Sequence, residues 1–318
     1  MQFRKIRELE YVYGDENRIM KILNSAKEPI LIKIKDFPDT FNLDYFAEYI
    51  KAPTAYSVFE NHLLLGHRID DFSKVIQEIK GNKPYRIFGQ LLPRNQSAII
   101  EYNVPLWQKI PYRPRYFKDI IKVAYFFGGK DSHTGMHFDR EHCCNLHLCL
   151  SGKKELILFT EDQSDKLYKV PFVGDTLIEF GLPMEEIDKK FPRSRDAVGY
   201  KVTIEKGDMV FMPRNCWHYT SYLDAAGSAT YSFYPLKFFQ YYGLVTGHFY
   251  QGYKDGYGFK LHNKTFFKKF SDNYALATGI KKFFYKGIEK LLYVFMLPLV
   301  TSAYLIRIRL RRMKKVNY

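Results

Sequence analysis

This chain of 318 residues is poor in cysteine and tryptophan, with four of one and two of the other. Cys143, Cys144, Cys149 and Cys216 have no zinc-ribbon spacing, and the adjacent pair cannot easily bridge. A disulfide scaffold and a cysteine zinc module are therefore excluded, and free thiols in a reducing, cytoplasmic setting are expected. The opening Met1-Gln-Phe-Arg-Lys5 carries no apolar signal segment. Internal repeats and low-complexity linkers are also lacking. Negative charge is scarce toward the end: from Gly279 onward ten Lys and Arg face only Glu289, so this segment supplies +9 of the net +15. Such a tail attracts lipid headgroups or nucleic acid, or serves solubility alone. Long apolar runs are short too. Leu291 to Ile306 is 16 uncharged residues interrupted by Pro298, against the about 20 that a bilayer requires. A transmembrane helix is not expected. Helices that pack on the core or join two copies are preferred, with an interfacial membrane segment as the alternative.

What is present suffices for a large core: 46% of residues are hydrophobic and 17% aromatic. Residues 1–120 read as an α/β part packed on the core, with strands at 29–34 and 85–92 and helices at 41–50 and 73–79. Residues 121–240 change to short strands separated by turns, at 123–127, 134–139, 145–150, 155–159, 201–204, 209–212 and 229–234. Asn145, His147 and Cys149 alternate with Leu146, Leu148 and Leu150, so the two sets face opposite sides of one strand. Strands at this spacing imply a mainly β fold, a double-stranded β-helix or jelly roll, with flanking helices. Residues 241–318 form a basic, aromatic-rich helical region.

His137 and Asp139 are one residue apart, so on a strand they share a side, and His218 follows about eighty residues later. Two imidazoles and one carboxylate form the set that binds non-haem Fe(II) on one face and leaves the other open. Alone, the triplet is common enough to arise by chance. Two further residues give it context. Lys154 interrupts the apolar run KELILF, where a buried ammonium is costly unless an anion meets it. Thr134 stands three residues before His137.

Four segments then carry a resemblance: Glu28-Pro-Ile-Leu-Ile32, Thr134-Gly-Met-His-Phe-Asp139, Asn145 to Phe159, and Gly207-Asp-Met-Val-Phe-Met-Pro-Arg-Asn-Cys-Trp-His218. Over roughly residues 27–235 the chain resembles the cupin-like JmjC family of Fe(II)/2-oxoglutarate-dependent oxygenases, in the layout of the hypoxia-inducible-factor asparaginyl hydroxylase type. The resemblance implies that His137, Asp139 and His218 hold iron. It further implies that Lys154 and Thr134 bind the distal carboxylate of 2-oxoglutarate, and that Asn145 and Ser232 line the site. It implies hydroxylation of a protein or peptide side chain, and a homodimer through the C-terminal helices. A tRNA hydroxylase and a non-catalytic metal-binding module are the alternatives. Two departures stand out: the loop Arg140 to Cys144 is longer by two residues than in that type, and Phe88 stands where that type has a tyrosine. His147 is read as a neutral, hydrogen-bonded core histidine, and Cys143 and Cys144 as packing residues.

Overall fold

The computed structural model describes residues 1–115, 123–254 and 259–316, with side chains to residue 311. The expected boundary at 120/121 and the side chains of Arg312, Lys314 and Lys315 lie outside the described residues. The strands are β1 (Gln2–Arg4), β2 (Arg7–Tyr11), β3 (Ile30–Ile34), β4 (Pro53–Glu60), β5 (Leu63–Asp71), β6 (Tyr85–Gln90) and β7 (Ala124–Gly128). There follow β8 (His133–His137), β9 (Cys144–Ser151), β10 (Lys154–Phe159), β11 (Val198–Ile204), β12 (Asp208–Met212), β13 (Trp217–Tyr222) and β14 (Ala226–Phe233). The helices are α1 (Glu16–Ser25), α2 (Leu43–Tyr49), α3 (Phe72–Lys80), α4 (Arg94–Tyr102), α5 (Met184–Lys190), α6 (Lys237–Tyr253), α7 (Thr265–Leu276) and α8 (Gly279–Val316).

Strands β7 to β14 form the expected jelly roll. Strands β8, β13, β10 and β11 lie in one sheet, and β7, β14, β9 and β12 in the other. Their mutual pairings are all antiparallel. The first sheet gains β1 beside β11; the second continues into β3 and β2 at one edge and β6, β4 and β5 at the other. Residues from the N-terminal part thus complete the larger sheet.

The alternation read in β9 explains its burial on both sides. Leu146, Leu148 and Leu150 join a core with residues of α1, α2 and α3, including Ile19, Phe46 and Phe72. Cys149 packs between the sheets with Leu156, Leu158, Val210 and Met212. Helix α2 starts where the Asn42 side chain accepts from Tyr45 N at 3.1 Å, which satisfies a free amide of the first turn.

Three expectations need correction. The strand expected over 134–139 ends at His137, so Asp139 sits on the turn that follows. The resembling segment Gly207–His218 runs over two strands: β12 lies in the larger sheet and β13 in the smaller, joined by a turn with Asn215 at φ 60°. The expected strands include β12, at 209–212, but not β13, WHYTSY. Finally, Pro298 does not interrupt the C-terminal run. Helix α8 is continuous for 38 residues. Proline deletes one N–H and bends a helix, which is tolerable where the freed carbonyl faces outward, and Pro298 is exposed.

Candidate metal centre

Pairing of β8 with β13 sets His137 directly opposite His218, with a bulge just beyond the pair. A cross-strand pair on one face brings side chains into contact, and the two ring centroids are 4.2 Å apart. After β8 the chain turns back, closed by His142 N donating to Asp139 O at 2.8 Å with His142 at φ 50°. That turn carries the Asp139 carboxylate to the imidazoles, with Oδ1 at 3.9 Å from His137 Nε2. One donor atom from each of His137, Asp139 and His218 lies within 4.8 Å of the other two.

The surrounding bonds prepare these donors. His137 Nδ1 lies 2.8 Å from Gly135 O, and His218 Nδ1 lies 3.1 Å from Cys216 O. Each contact needs a proton on Nδ1, which leaves the Nε2 lone pair free for a metal. Burial and the neighbouring His137 push the His218 pKa down to about 4, so its ring is neutral near pH 7. Burial raises the Asp139 pKa, but His218, His137 and the Asn145 amide outweigh it and hold the carboxylate ionised. Asn145 Nδ2 donates to Asp139 Oδ2, and Ser232 Oγ donates to Asn145 Oδ1 at 2.6 Å. Two imidazole nitrogens and one carboxylate oxygen with an open side fit a 2-His-1-carboxylate centre.

Asn145 and Ser232, expected to line the co-substrate site, are thus engaged in orienting Asp139. They still border the cleft. Lys154 is buried, 1% exposed, with Nζ donating to Ser228 Oγ at 2.8 Å and His147 Nε2 at 2.9 Å. His147 Nδ1 then donates to Thr230 Oγ1 at 2.7 Å. The Tyr222 ring lies 4.6 Å from the ammonium. All these partners are neutral, so burial lowers the Lys154 pKa to about 7. His147 is a buried, neutral, hydrogen-bonded histidine, held so by burial and by Lys154. Cys143 packs beside Asp139 and Asn145 as a thiol whose pKa burial raises. All four cysteines are free and buried.

Arg86 escaped sequence reasoning. Its Nη1 donates to Thr134 Oγ1 at 2.9 Å and to His133 O at 2.6 Å, while its buried Nε has no partner among the described residues. The signal was a single cation in the strand YRIFGQ, on the same face as Phe88. Glu141 was missed as well: burial pushes its carboxyl pKa up to about 7 despite Arg140 Nε at 2.7 Å.

These groups line two joined spaces. An outer chamber of about 470 Å³ is bordered by Phe88, Leu91, Arg113, Phe126, Arg140 and Tyr250. A narrow inner one of about 60 Å³ runs past Thr134 and His147 to Lys154 and Tyr222. His137 and Asp139 border both.

The profile of the cupin-like domain family matches residues 56–238. The chain belongs to the cupin-like domain family. JmjC domain-containing protein D of Dictyostelium discoideum is 25% identical over 229 residues, 70% of this chain and 47% of that protein. HSPB1-associated protein 1 homolog of Danio rerio is 29% identical over 126 residues, 35% of this chain and 28% of that protein. HSPB1-associated protein 1 of Homo sapiens is 30% identical over 101 residues, 31% of this chain and 20% of that protein. The chain therefore spans less than half the length of these curated relatives.

Proposed function

We propose that this cupin-like protein is an Fe(II)- and 2-oxoglutarate-dependent oxygenase that hydroxylates a side chain of a protein or peptide. Its co-products are succinate and CO2, so one oxygen atom of O2 enters succinate and the other the hydroxylated side chain. The observation that carries the reading is the order of groups along one cleft: apolar outer chamber, His137, Asp139 and His218, then a dead end holding Lys154. Held by the triad, Fe(II) would supply oxygen activation at its open face.

The protein residues position the reactants. Lys154 gives the distal carboxylate of 2-oxoglutarate a buried cation, and the Thr134 hydroxyl a hydrogen bond. A buried ammonium with only neutral partners is poised for an anion. Arg86 presses on Thr134 and adds a second positive charge at that end. Asn145 and Ser232 hold Asp139 in place. Phe88 and Phe126 border both chambers and give the metal face an apolar wall. The outer chamber is large enough for a side chain from a separate polypeptide, with Arg113 and Arg140 beside its entry.

The test is turnover without the true substrate. Protein reconstituted anaerobically with Fe(II) is given 2-oxoglutarate and oxygen, and succinate is followed by NMR. Slow uncoupled release is expected from wild type and none from Asp139→Ala. Absence of both iron binding and succinate would leave only a binding module. RNA as substrate predicts binding that weakens steeply with salt; binding insensitive to salt removes it.

A further inference from the structure

Helix α8 has two unlike faces. The inner face is seated on the protein: Lys282 Nζ donates to Tyr274 O at 2.7 Å, Lys286 Nζ lies 2.5 Å from Asp165, and Glu289 accepts from Phe172 N at 3.1 Å. Val300 and Tyr304 are buried on the same side, packed against Gly252 of α6. The outer face carries Phe284, Ile288, Leu291, Phe295, Leu299 and Ile306 at steps of three, four and seven residues. All six are exposed, Leu299 by 70% and Phe295 by 65%. No charged residue falls on this stripe between 284 and 306. It is roughly 33 Å long at about 1.5 Å per residue. Both ends are basic, with the exposed Lys281 before it and Arg307, Arg309 and Arg311 after.

We infer that α8 is a membrane-binding element that lies in the plane of an anionic phospholipid surface, its outer stripe sunk among the acyl chains. This proposal is independent of the oxygenase reading. Water is a poor solvent for an apolar stripe of this length, broken only by Ser302 between Leu299 and Ile306. Two occupants could cover it, and charge decides between them. In a symmetric pair of copies, either helix direction sets a basic end against a basic end, and the one acid, Glu289, is turned inward toward Lys169. Anionic headgroups match the apolar middle and both ends at once. By length and composition Gly279–Arg311 could also cross a bilayer. Its uncharged core of 16 residues covers only about 24 Å of the about 30 Å needed. The ion pairs of Lys286 and Glu289 keep the inner face on the protein.

The experiment is co-sedimentation of the full chain with vesicles of phosphatidylcholine, pure or mixed with phosphatidylserine, alongside light scattering without lipid. The variant replaces Phe284, Leu291, Phe295 and Leu299 with Glu, exposed positions away from the metal centre. Wild type is expected to pellet with the mixed vesicles, and salt to weaken but not abolish binding. The variant should lose binding about tenfold or more, with unchanged circular dichroism and succinate release. Three results overturn the proposal. Wild type stays in the supernatant with both vesicles. The variant pellets as well as wild type. Wild type forms a dimer that the variant breaks while neither binds lipid, which makes the stripe a contact between copies.

Discussion

Lys154 should make the protein less stable until its anion arrives. Its pKa falls from 10.5 to about 7 because burial penalises the ammonium. At about 1.4 kcal/mol for each pKa step, that places an upper bound near 5 kcal/mol on the penalty. Because the folded pKa is the lower one, the unfolded chain holds the extra proton between pH 7 and 10.5. The penalty is therefore fully present below pH 7 and fades as pH rises toward 10.5. Lys154→Met keeps length and removes charge. It also strips a hydrogen bond from His147 and from Ser228, which returns about 1–3 kcal/mol of cost. The net expectation for the protein without co-substrate is a thermal midpoint equal to or above that of wild type. Co-substrate binding should behave oppositely. A dicarboxylate that loses its buried cation forfeits about 2–5 kcal/mol, roughly 30-fold or more in affinity. Anaerobic titration with 2-oxoglutarate, read by calorimetry and by shift of the midpoint, measures both. Wild-type affinity should also be flat below pH 7 and weaken above it, since the neutral amine must take up a proton to bind. If Lys154→Met unfolds several degrees earlier yet binds 2-oxoglutarate within threefold of wild type, Lys154 is a structural residue and the assignment is wrong.

Asn145→Ala should weaken metal affinity about 10- to 100-fold by freeing the Asp139 carboxylate, and Ser232→Ala should do so less; anaerobic Co(II) titration followed by visible absorption measures this, and equal affinities refute the role. Arg86→Gln should raise KM for 2-oxoglutarate about tenfold and change kcat less, because it acts through Thr134 at the carboxylate end; an unchanged KM removes Arg86 from the site. His142 and His218 both have pKa values lowered to about 4 by burial. In metal-free protein these two rings should therefore cost stability as pH falls from about 6.5 toward 4, since the unfolded chain takes up the protons first, while Glu141, raised to about 7, offsets part of that loss; urea midpoints of a Glu141→Gln variant that stay level across that window contradict the assignment.

The parts of this site that the sequence reveals share a physical character: each depends on a local rule. His137 and Asp139 stand two apart, and the alternation of Asn145, His147 and Cys149 against three leucines marks one inward face. Lys154 is conspicuous because a charge in KELILF contradicts its surroundings. What stayed hidden depends on pairing between distant segments. Arg86 reaches Thr134 only because β6 pairs with β7 in the larger sheet, which brings its side chain to β8 of the other. The strand at 209–212 is legible, but nothing local says that β12 and β13 enter different sheets, and WHYTSY has no strict apolar–polar alternation to mark it as a strand. Helix α8 was misjudged by a local rule applied too strictly. Proline forbids one hydrogen bond, but a helix held along its inner face by Glu289, Val300 and Tyr304 continues past it. The same continuity extends the apolar stripe over six turns instead of leaving two short pieces. A stripe that long requires a covering surface, which the broken segment read from the sequence did not.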